Sequence, residues 1–450
     1  MVSTASSAPG RAVFIETFGC QMNVADTEVV LARLAEAGYH TTDTIDSADL
    51  VVYNTCAVRD HAEAKVRGRL GALKPIKKQR PELRIAIMGC MAQREQGDLL
   101  RQFPHVDLVV GTDQFVHLPQ LLDRLADERQ VVATDFGDFE AKDWSARREG
   151  TVNAFVTIMR GCNYNCTYCI VPTTRGLEKS RPPQQIEDEV RRLVDDGFVQ
   201  VTLLGQTVDA YGKTLGDGTT LASLLRRLHA IEGLKRIRFI TSHPKDISDE
   251  LLDTMAELPK VAKHLHVPAQ HGSDRILRLM GRRYGRDDYL RFVERARSRM
   301  PEVELLSDFI TGFPRETDAD HAETVSLFNA VRFAGSYVFM YSPRPGTPST
   351  RLEDDVPEDV KRARCNELLA LQLVHQSELF ASHHGRIRQV LVEGPSRSDP
   401  EMLHGRSEGN LNVVFPRRGA DGDRMSLVGR IVPVRIERST SLTLFGDVAE

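Results

Sequence analysis

The chain has 450 residues, with 59 Lys and Arg against 63 Asp and Glu, a formal net charge of −4. That balance excludes a surface that coats nucleic acid everywhere, yet leaves room for a local basic patch. Hydrophobic residues at 41% and charged residues at 27% exclude global disorder. About 150 residues per domain predicts two to four domains.

No stretch approaches the roughly 18 apolar residues of a membrane helix, and the opening MVSTASSAPGR has no apolar signal core. No membrane association is expected. The seven cysteines are odd in number and cannot all pair internally. A cytoplasmic, reducing setting follows as the expectation, in which clustered cysteines serve metal or redox chemistry.

Residues 11–128 alternate short β-branched runs with amphipathic ones. AVFIETFGC ends at Cys20, DLVVYNTC at Cys56 and LRIAIMGC at Cys90, and DLVVGTD follows. ADTEVVLARLAEAG, VRDHAEAKVRGRLGAL and REQGDLLRQF read as helices between them. That alternation predicts an α/β domain on a buried parallel sheet. Residues 129–147, with the single Trp144, read as a connection. Within 148–380 six further strand candidates (NAFVTIMR, VQVTLLG, RIRFIT, HLHVPA, VELLSDFI and SYVFMY) alternate with helices. Six βα units over that length predict a partial parallel (β/α)6 barrel. After the turn-rich YSPRPGTPSTR comes a long helical run, PEDVKRARCNELLALQLVHQSELF. Residues 381–450 then carry the short β runs RQVLVEG, LNVVF, IVPVRIER and SLTLFG, which predict a small all-β barrel with ten Arg and no Lys.

Cys20, Cys56 and Cys90 each close a predicted parallel strand, the edge at which open α/β sheets bind ligands. Soft thiolates meeting there suit an iron–sulfur cluster or zinc; three buried core cysteines is the plainer alternative. Gly19 and Gly89 precede two of them and allow close backbone approach. A second set, Cys162, Cys166 and Cys169, lies in RGCNYNCTYC directly after a strand. No fourth Cys or His stands nearby, which argues against a closed zinc site. Three thiolates on a 4Fe–4S cluster leave one iron open.

This C-x3-C-x2-C motif resembles that of the radical S-adenosylmethionine enzymes. The resemblance implies that the open iron chelates S-adenosylmethionine, whose reductive cleavage yields a 5′-deoxyadenosyl radical. It places Tyr168 beside the adenine, and Gln206, Gly312 and Glu316, at or just past strand ends, as candidates to line the cofactor pocket. Pro268, Gln270, Gly272 and Ser273 of VPAQHGS are further candidates.

Taken together, the two cysteine sets and the terminal barrel resemble the methylthiotransferase family over nearly the whole chain. That implies a cluster domain, a radical core and an RNA-binding TRAM barrel, with two 4Fe–4S clusters held by the six cysteines. GCQMN at Gly19–Asn23, LLGQTVDAYG and YSPRPGTPS resemble the branch acting on isopentenyl-modified adenosine in tRNA. Thr207 and Asp209 stand where that branch commonly has Asn, and His271 where it has Ser.

The implied reaction places a methylthio group on C2 of N6-isopentenyladenosine beside the anticodon. An aromatic C–H offers no titratable proton, so a radical cofactor carries the difficult step. The expected partners are a tRNA anticodon stem-loop, an electron donor and a sulfur source; the protein is expected to be a monomer. Two alternatives stand: methylthiolation of threonylcarbamoyl adenosine, and a non-catalytic iron–sulfur RNA-binding protein.

Arg59–Arg84 carries nine basic and three acidic residues and is a candidate RNA grip. Arg275, Arg278, Arg282, Arg283 and Arg286 form a second candidate patch. Arg406 and Arg430, each after a Gly on a predicted loop, are further RNA candidates. Cys365 and the pair His383-His384 read as structural. The terminal barrel is expected to be a separable RNA grip, dispensable for cluster assembly.

Overall fold

The computed structural model describes residues 10–57, 60–137, 146, 148, 150, 152–419 and 422–449, with 60–62 as backbone alone. Arg59 and Trp144 lie outside the described residues. The chain forms two compact units. One comprises residues up to 149 together with 160–163 and 170–178; the other comprises the remainder.

The first unit is built on six parallel strands: β1 (Arg11–Thr17), β2 (Tyr39–Thr41), β3 (Leu50–Thr55), β4 (Arg84–Gly89), β5 (Leu108–Val110) and β6 (Val131–Ala133). Their order is β2-β1-β3-β4-β5-β6. Alternate residues feed opposite cores. Leu50, Val52, Ala86 and Met88 pack on one face, and Val51, Tyr53, Ile85 and Ile87 on the other. Both faces are buried, which is why these strands read as continuous apolar runs. Thr17 pairs with Asn54 and Thr55 with Gly89, so β1, β3 and β4 end level.

Two details differ from expectation. The run REQGDLLRQF is not one helix: Gln96 adopts φ 49° beside Gly97 and splits it into Cys90–Glu95 and Asp98–Gln102. The sheet also extends past residue 128, because β6 pairs with β5 inside the predicted connection.

In the second unit six parallel strands follow chain order: β7 (Asn153–Thr157), β8 (Gln200–Leu204), β9 (Arg236–Phe239), β10 (His264–His266), β11 (Glu304–Thr311) and β12 (Gly335–Met340). Two three-stranded sheets meet where Ile237 bridges Val261. This is the expected partial (β/α)6 barrel. All six strand candidates are present. Helix Glu358–Ala381 packs against the last two strands and leads to a closed five-stranded barrel. One of its strands, Met402–Arg406, was not expected. Its MLHGR sequence lacks apolar alternation because Gly405 lies against the Leu391 carbonyl, where a Cβ would stand 2.2 Å from the oxygen. Arg406 therefore ends a strand and is not in a loop.

The terminal barrel is docked on the amino-terminal ends of the parallel strands. The buried Arg236 guanidinium donates to the carbonyls of Gln389 (3.0 Å), Arg406 and Ser407 (3.1 Å). Lys235 Nζ donates to Gly429 O at 2.7 Å, and Arg388 pairs with Glu302 at 2.6 Å. The barrel has an apolar core of its own, around Val390, Leu403, Phe415 and Val434, and meets the radical core through these polar contacts. A protein ending before Gly385 uncovers these contacts, and it is expected to show a lower thermal midpoint than the intact chain by calorimetry.

Within this barrel Glu393 lies 3.6 Å from His404 and raises its pKa. A raised folded value stabilises fully below the unfolded value of about 6.5 and is lost as pH rises through the folded one. Thermal midpoints from pH 5 to 9 should show this loss in the native protein and not in His404→Gln. Among the described residues no helix is long and apolar enough to cross a membrane.

Candidate active site

In the first unit three strand ends bring Cys20, Cys56 and Cys90 to one edge. Cys20 precedes helix Gln21–Glu36 and takes an extended backbone (φ −100°, ψ 177°). Its position is fixed by a buried amide pair. Asn23 Nδ2 donates to Asn54 Oδ1 at 2.9 Å, and Asn54 Nδ2 donates back to Asn23 O at 2.8 Å. The helix start is thereby clamped to the end of β3. Gly19, at φ +141°, lies so close that a Cβ would stand 2.6 Å from that of Cys56. Gly89, at φ +95°, would meet Asn54 Oδ1 at 2.5 Å. Both positions require glycine for close approach as well as for conformation.

Arg175 completes this edge. Its Nε donates to Cys90 Sγ at 3.3 Å and its Nη1 to Asp26 at 2.6 Å; Nη2 is buried without a partner. Burial opposes the Arg175 charge, but Asp26, Cys90 and Cys20 outweigh it and hold the group protonated. Arg160, also buried, lies 3.8 Å from both Asp26 and Asp113. Neither arginine, nor the Asn23–Asn54 pair, was identified from sequence. Their signal was available: Asn23 lies three residues after Cys20, and Arg175 six after Cys169.

The boundary between units runs through the loop of the second cysteine set. In the first unit Cys162 donates its N–H to Gly176 O at 3.2 Å. Gly161 before it, at φ +73°, leaves no room for a Cβ against Leu177 O. In the second unit the Cys169 N–H donates to Cys166 O at 3.0 Å, closing a turn. Thr167 between them donates to Met280 O and accepts from the Ser349 N–H. Arg282 donates from Nη1 to Cys166 Sγ at 3.3 Å and from Nη2 to Pro268 O. Each cysteine set thus has one guanidinium on a sulfur.

Tyr168 is half-buried against Ile276, Met280, Phe313 and Tyr341. Gln206 follows the end of β8, and its amide oxygen is buried without a protein partner. Gly312 and Glu316 stand in a different setting. A Cβ on Gly312 would lie 2.1 Å from Lys361 Cγ, so this glycine admits the long helix. The fully buried Glu316 accepts from Arg364 at 3.1 Å and the Phe313 N–H at 3.1 Å, with His271 at 3.4 Å. Its oxygens are thus engaged by the protein. His271 also accepts the Ser273 N–H at 3.0 Å, and Gly272 lies against Thr324. The Pro268–Ser273 loop is locked to helix Asp318–Val331 through Ser273–Asp320 and Gly272–Thr324.

Asp209 accepts the His243 N–H at 2.8 Å and leaves Oδ1 without a partner. Burial and neighbouring Asp246 push its pKa well up. Burial, then Arg282, push His243 down to about 2, so it is neutral where it stacks on Tyr164 at 3.9 Å. Cys365 lies in the long helix facing Val338 O, away from both sets.

The basic stretch beginning at Arg59 is largely occupied. Arg67 pairs with Glu95, Arg69 with Glu16, and Lys77 with Asp107; Arg80 donates to the carbonyls of Asp46 and Ala48. In the second patch Arg275 pairs with Asp320, and Arg282 serves Cys166. His383 accepts from Arg388, and His384 meets Ser439.

The donor set fits iron–sulfur chemistry. Two groups of thiols are each approached by a guanidinium that can offset the negative charge of thiolate-bound iron. Among the described residues no group of three His, Cys, Asp or Glu side chains suits a single metal ion. Gln206 adds an unmatched polar atom at a strand end.

Known proteins align with all parts of the chain. Residues 12–111 match the uncharacterized protein family UPF0004, 156–328 the radical SAM superfamily and 381–449 the TRAM domain. A tRNA-2-methylthio-N(6)-dimethylallyladenosine synthase of Acetivibrio thermocellus is 45% identical over 96% of this chain and 90% of its own length. Its namesake in Chloroherpeton thalassium is 44% identical, covering 97% and 95%. Among solved structures, the radical S-adenosylmethionine methyltransferase TsrM of Kitasatospora setae shares the fold, at a TM-score of 0.59 and 15% identity. That match covers 83% of this chain and 90% of TsrM. Full-length identity at this level, with all three domain matches in order, decides between the branches considered: the chain belongs to the tRNA-2-methylthio-N(6)-dimethylallyladenosine synthases, radical SAM methylthiotransferases that use S-adenosylmethionine and two 4Fe–4S clusters.

Proposed function

We propose that Cys162, Cys166 and Cys169 hold the cluster at which S-adenosylmethionine is cleaved, and that Cys20, Cys56 and Cys90 hold the second cluster. The enzyme converts N6-isopentenyladenosine in tRNA to its 2-methylthio derivative. The observation that carries the division of labour is the level ending of β1, β3 and β4, with a cysteine after each. When bound, the cofactors supply radical C–H activation and the methylthio group. The chain's own residues position them. Arg175 and Arg282 donate to ligand sulfurs, Gly19 and Gly89 permit close approach, and Gln206 offers an amide oxygen free of protein partners.

Proton transfer is not needed at C2, which accords with a neutral His243 in the radical core. The substrate lies in an anticodon stem-loop, whose base is already single-stranded and presented at low cost. A separate electron donor and sulfur source, a monomeric state and a cytoplasmic location complete the reading. So does a layout of cluster domain 11–128, connection 129–147, radical core 148–380 and RNA-binding barrel 381–450. Mass spectrometry of nucleosides from a stem-loop carrying isopentenyladenosine tests it. Reconstituted protein with S-adenosylmethionine, reductant and a sulfide source should yield the 2-methylthio nucleoside, whereas 5′-deoxyadenosine without that product would reject the assignment.

A further inference from the structure

At the amino-terminal mouth of the barrel, where the terminal barrel docks, lies a cavity of about 410 Å3 lined by Gly150, Val152, Asn153, Arg238, Glu393 and Arg406. Ile237 and Phe239 belong to the helix-facing core, so Arg238 between them points to the opposite, lumen side. Its Nε is buried without a partner. Two guanidiniums face one carboxylate, and Glu393 is shared between Arg406 (3.9 Å) and His404 (3.6 Å). Arg406 also donates from Nη1 to Asn410 O at 3.3 Å, so the unmatched donor is Arg238 Nε; two guanidiniums against one carboxylate at a cavity suit an oxyanion.

Beyond the cavity's lining, the lumen-side residues of the next strands are polar and aromatic. His264 lies within the electrostatic reach of Arg238, Arg406 and His266, and its Nε2 is buried without a partner. His266 meets Asp308 at 3.1 Å and the ring of Tyr337 at 6.0 Å. Tyr337 pairs in register with Asp308 on the last strand, and it is 53% exposed; Phe339, two residues on, is 43% exposed. Their neighbour Val338 packs into the core instead. Exposed aromatics on an edge strand are an aggregation hazard unless something stacks on them.

We propose that this mouth seats an RNA backbone phosphate on Arg238 and Arg406, with a base of the same strand stacked on Tyr337. The proposal rests on the tRNA reading and adds the direction of entry: the RNA approaches the radical core from the amino-terminal ends of its strands, where the terminal barrel docks.

The test uses the full reconstituted chain and an isopentenyladenosine stem-loop, titrated at several salt concentrations. Arg238→Gln and Arg406→Gln should each weaken binding and flatten the slope of log affinity against log salt by about 0.7 for the lost phosphate contact. Tyr337→Ala should weaken it about 5- to 150-fold without changing the slope, and Tyr337→Phe should retain the affinity. Inorganic phosphate should raise the melting temperature of the native protein and not that of Arg238→Gln. Should Arg238→Gln fail to fold, Arg406→Gln and Tyr337→Ala carry the test. Variants that melt like the native protein and bind RNA with its affinity and slope overturn the proposal, while product formation leaves the tRNA assignment standing. Phosphate protection with unchanged RNA binding assigns a small-anion site and overturns the RNA seat. A native protein that binds no RNA overturns both.

Discussion

Replacing Cys162, Cys166 and Cys169 together by Ala should abolish S-adenosylmethionine cleavage and lower the iron content from about eight to about four per chain. No side chain in this protein substitutes for the radical step. Activity should therefore fall by the whole enzymatic acceleration, more than about 10⁶-fold. The complementary triple variant at Cys20, Cys56 and Cys90 should lose the same amount of iron, yet still form 5′-deoxyadenosine and no methylthio product. Iron analysis and chromatography of the two variants check this pair of outcomes. An N-terminal variant with unchanged iron would remove the second cluster from those cysteines. Cys365→Ser should change neither measurement, because that thiol faces Val338 in the long helix.

Arg175→Met has the next largest expected effect. Asp26 is 3% exposed and accepts a 2.6 Å hydrogen bond from the Arg175 guanidinium. Removing one partner of a buried pair leaves the other unmatched, at about 3–5 kcal/mol. The thermal midpoint should fall accordingly, and Arg175→Lys should recover part of it through the charge alone. Stability does not exhaust the effect, because Nε also donates to Cys90 Sγ. A hydrogen bond to a ligand sulfur favours the reduced, more negative cluster. In Arg175→Lys, an EPR-monitored redox titration should move the potential of the N-terminal cluster downward and leave the other unmoved. Both potentials unchanged would assign Arg175 to the ion pair alone.

The strands and the cysteines were legible because each is a local signal: a short apolar run closed by Cys, or three Cys in eight residues. The elements that hold them were not. Asn23 and Asn54 are ordinary polar residues until β1 and β3 lie side by side. Arg175 reads as one more basic residue until its loop meets Asp26, 149 positions earlier in the chain. The same blindness to distant pairing made Arg67, Lys77 and Arg80 look like an RNA grip, when acids and carbonyls of their own unit occupy them. Gly312 and Glu316 were read by their nearness to a strand end. Their contacts with Lys361 and Arg364 come from a helix that sequence reading had treated as a link to the last barrel. Met402–Arg406 escaped notice because a strand residue pressed onto a neighbour's backbone must be glycine, which removes the apolar pattern.

The docking of Arg236 onto the carbonyls of Gln389 and Ser407 has a consequence for synthesis on the ribosome. Arg236 is made 171 residues before Ser407, so at about 5–20 residues per second its partner is missing for roughly 10–35 s. Once Met340 is made, the nascent barrel has all six parallel strands but an unsealed amino-terminal end, with a guanidinium awaiting acceptors not yet translated. Loop closure over so long a span is slow compared with the local βα units. Folding of this enzyme therefore finishes at its last sixty residues, and a chain released early leaves the ribosome with an unfinished catalytic barrel.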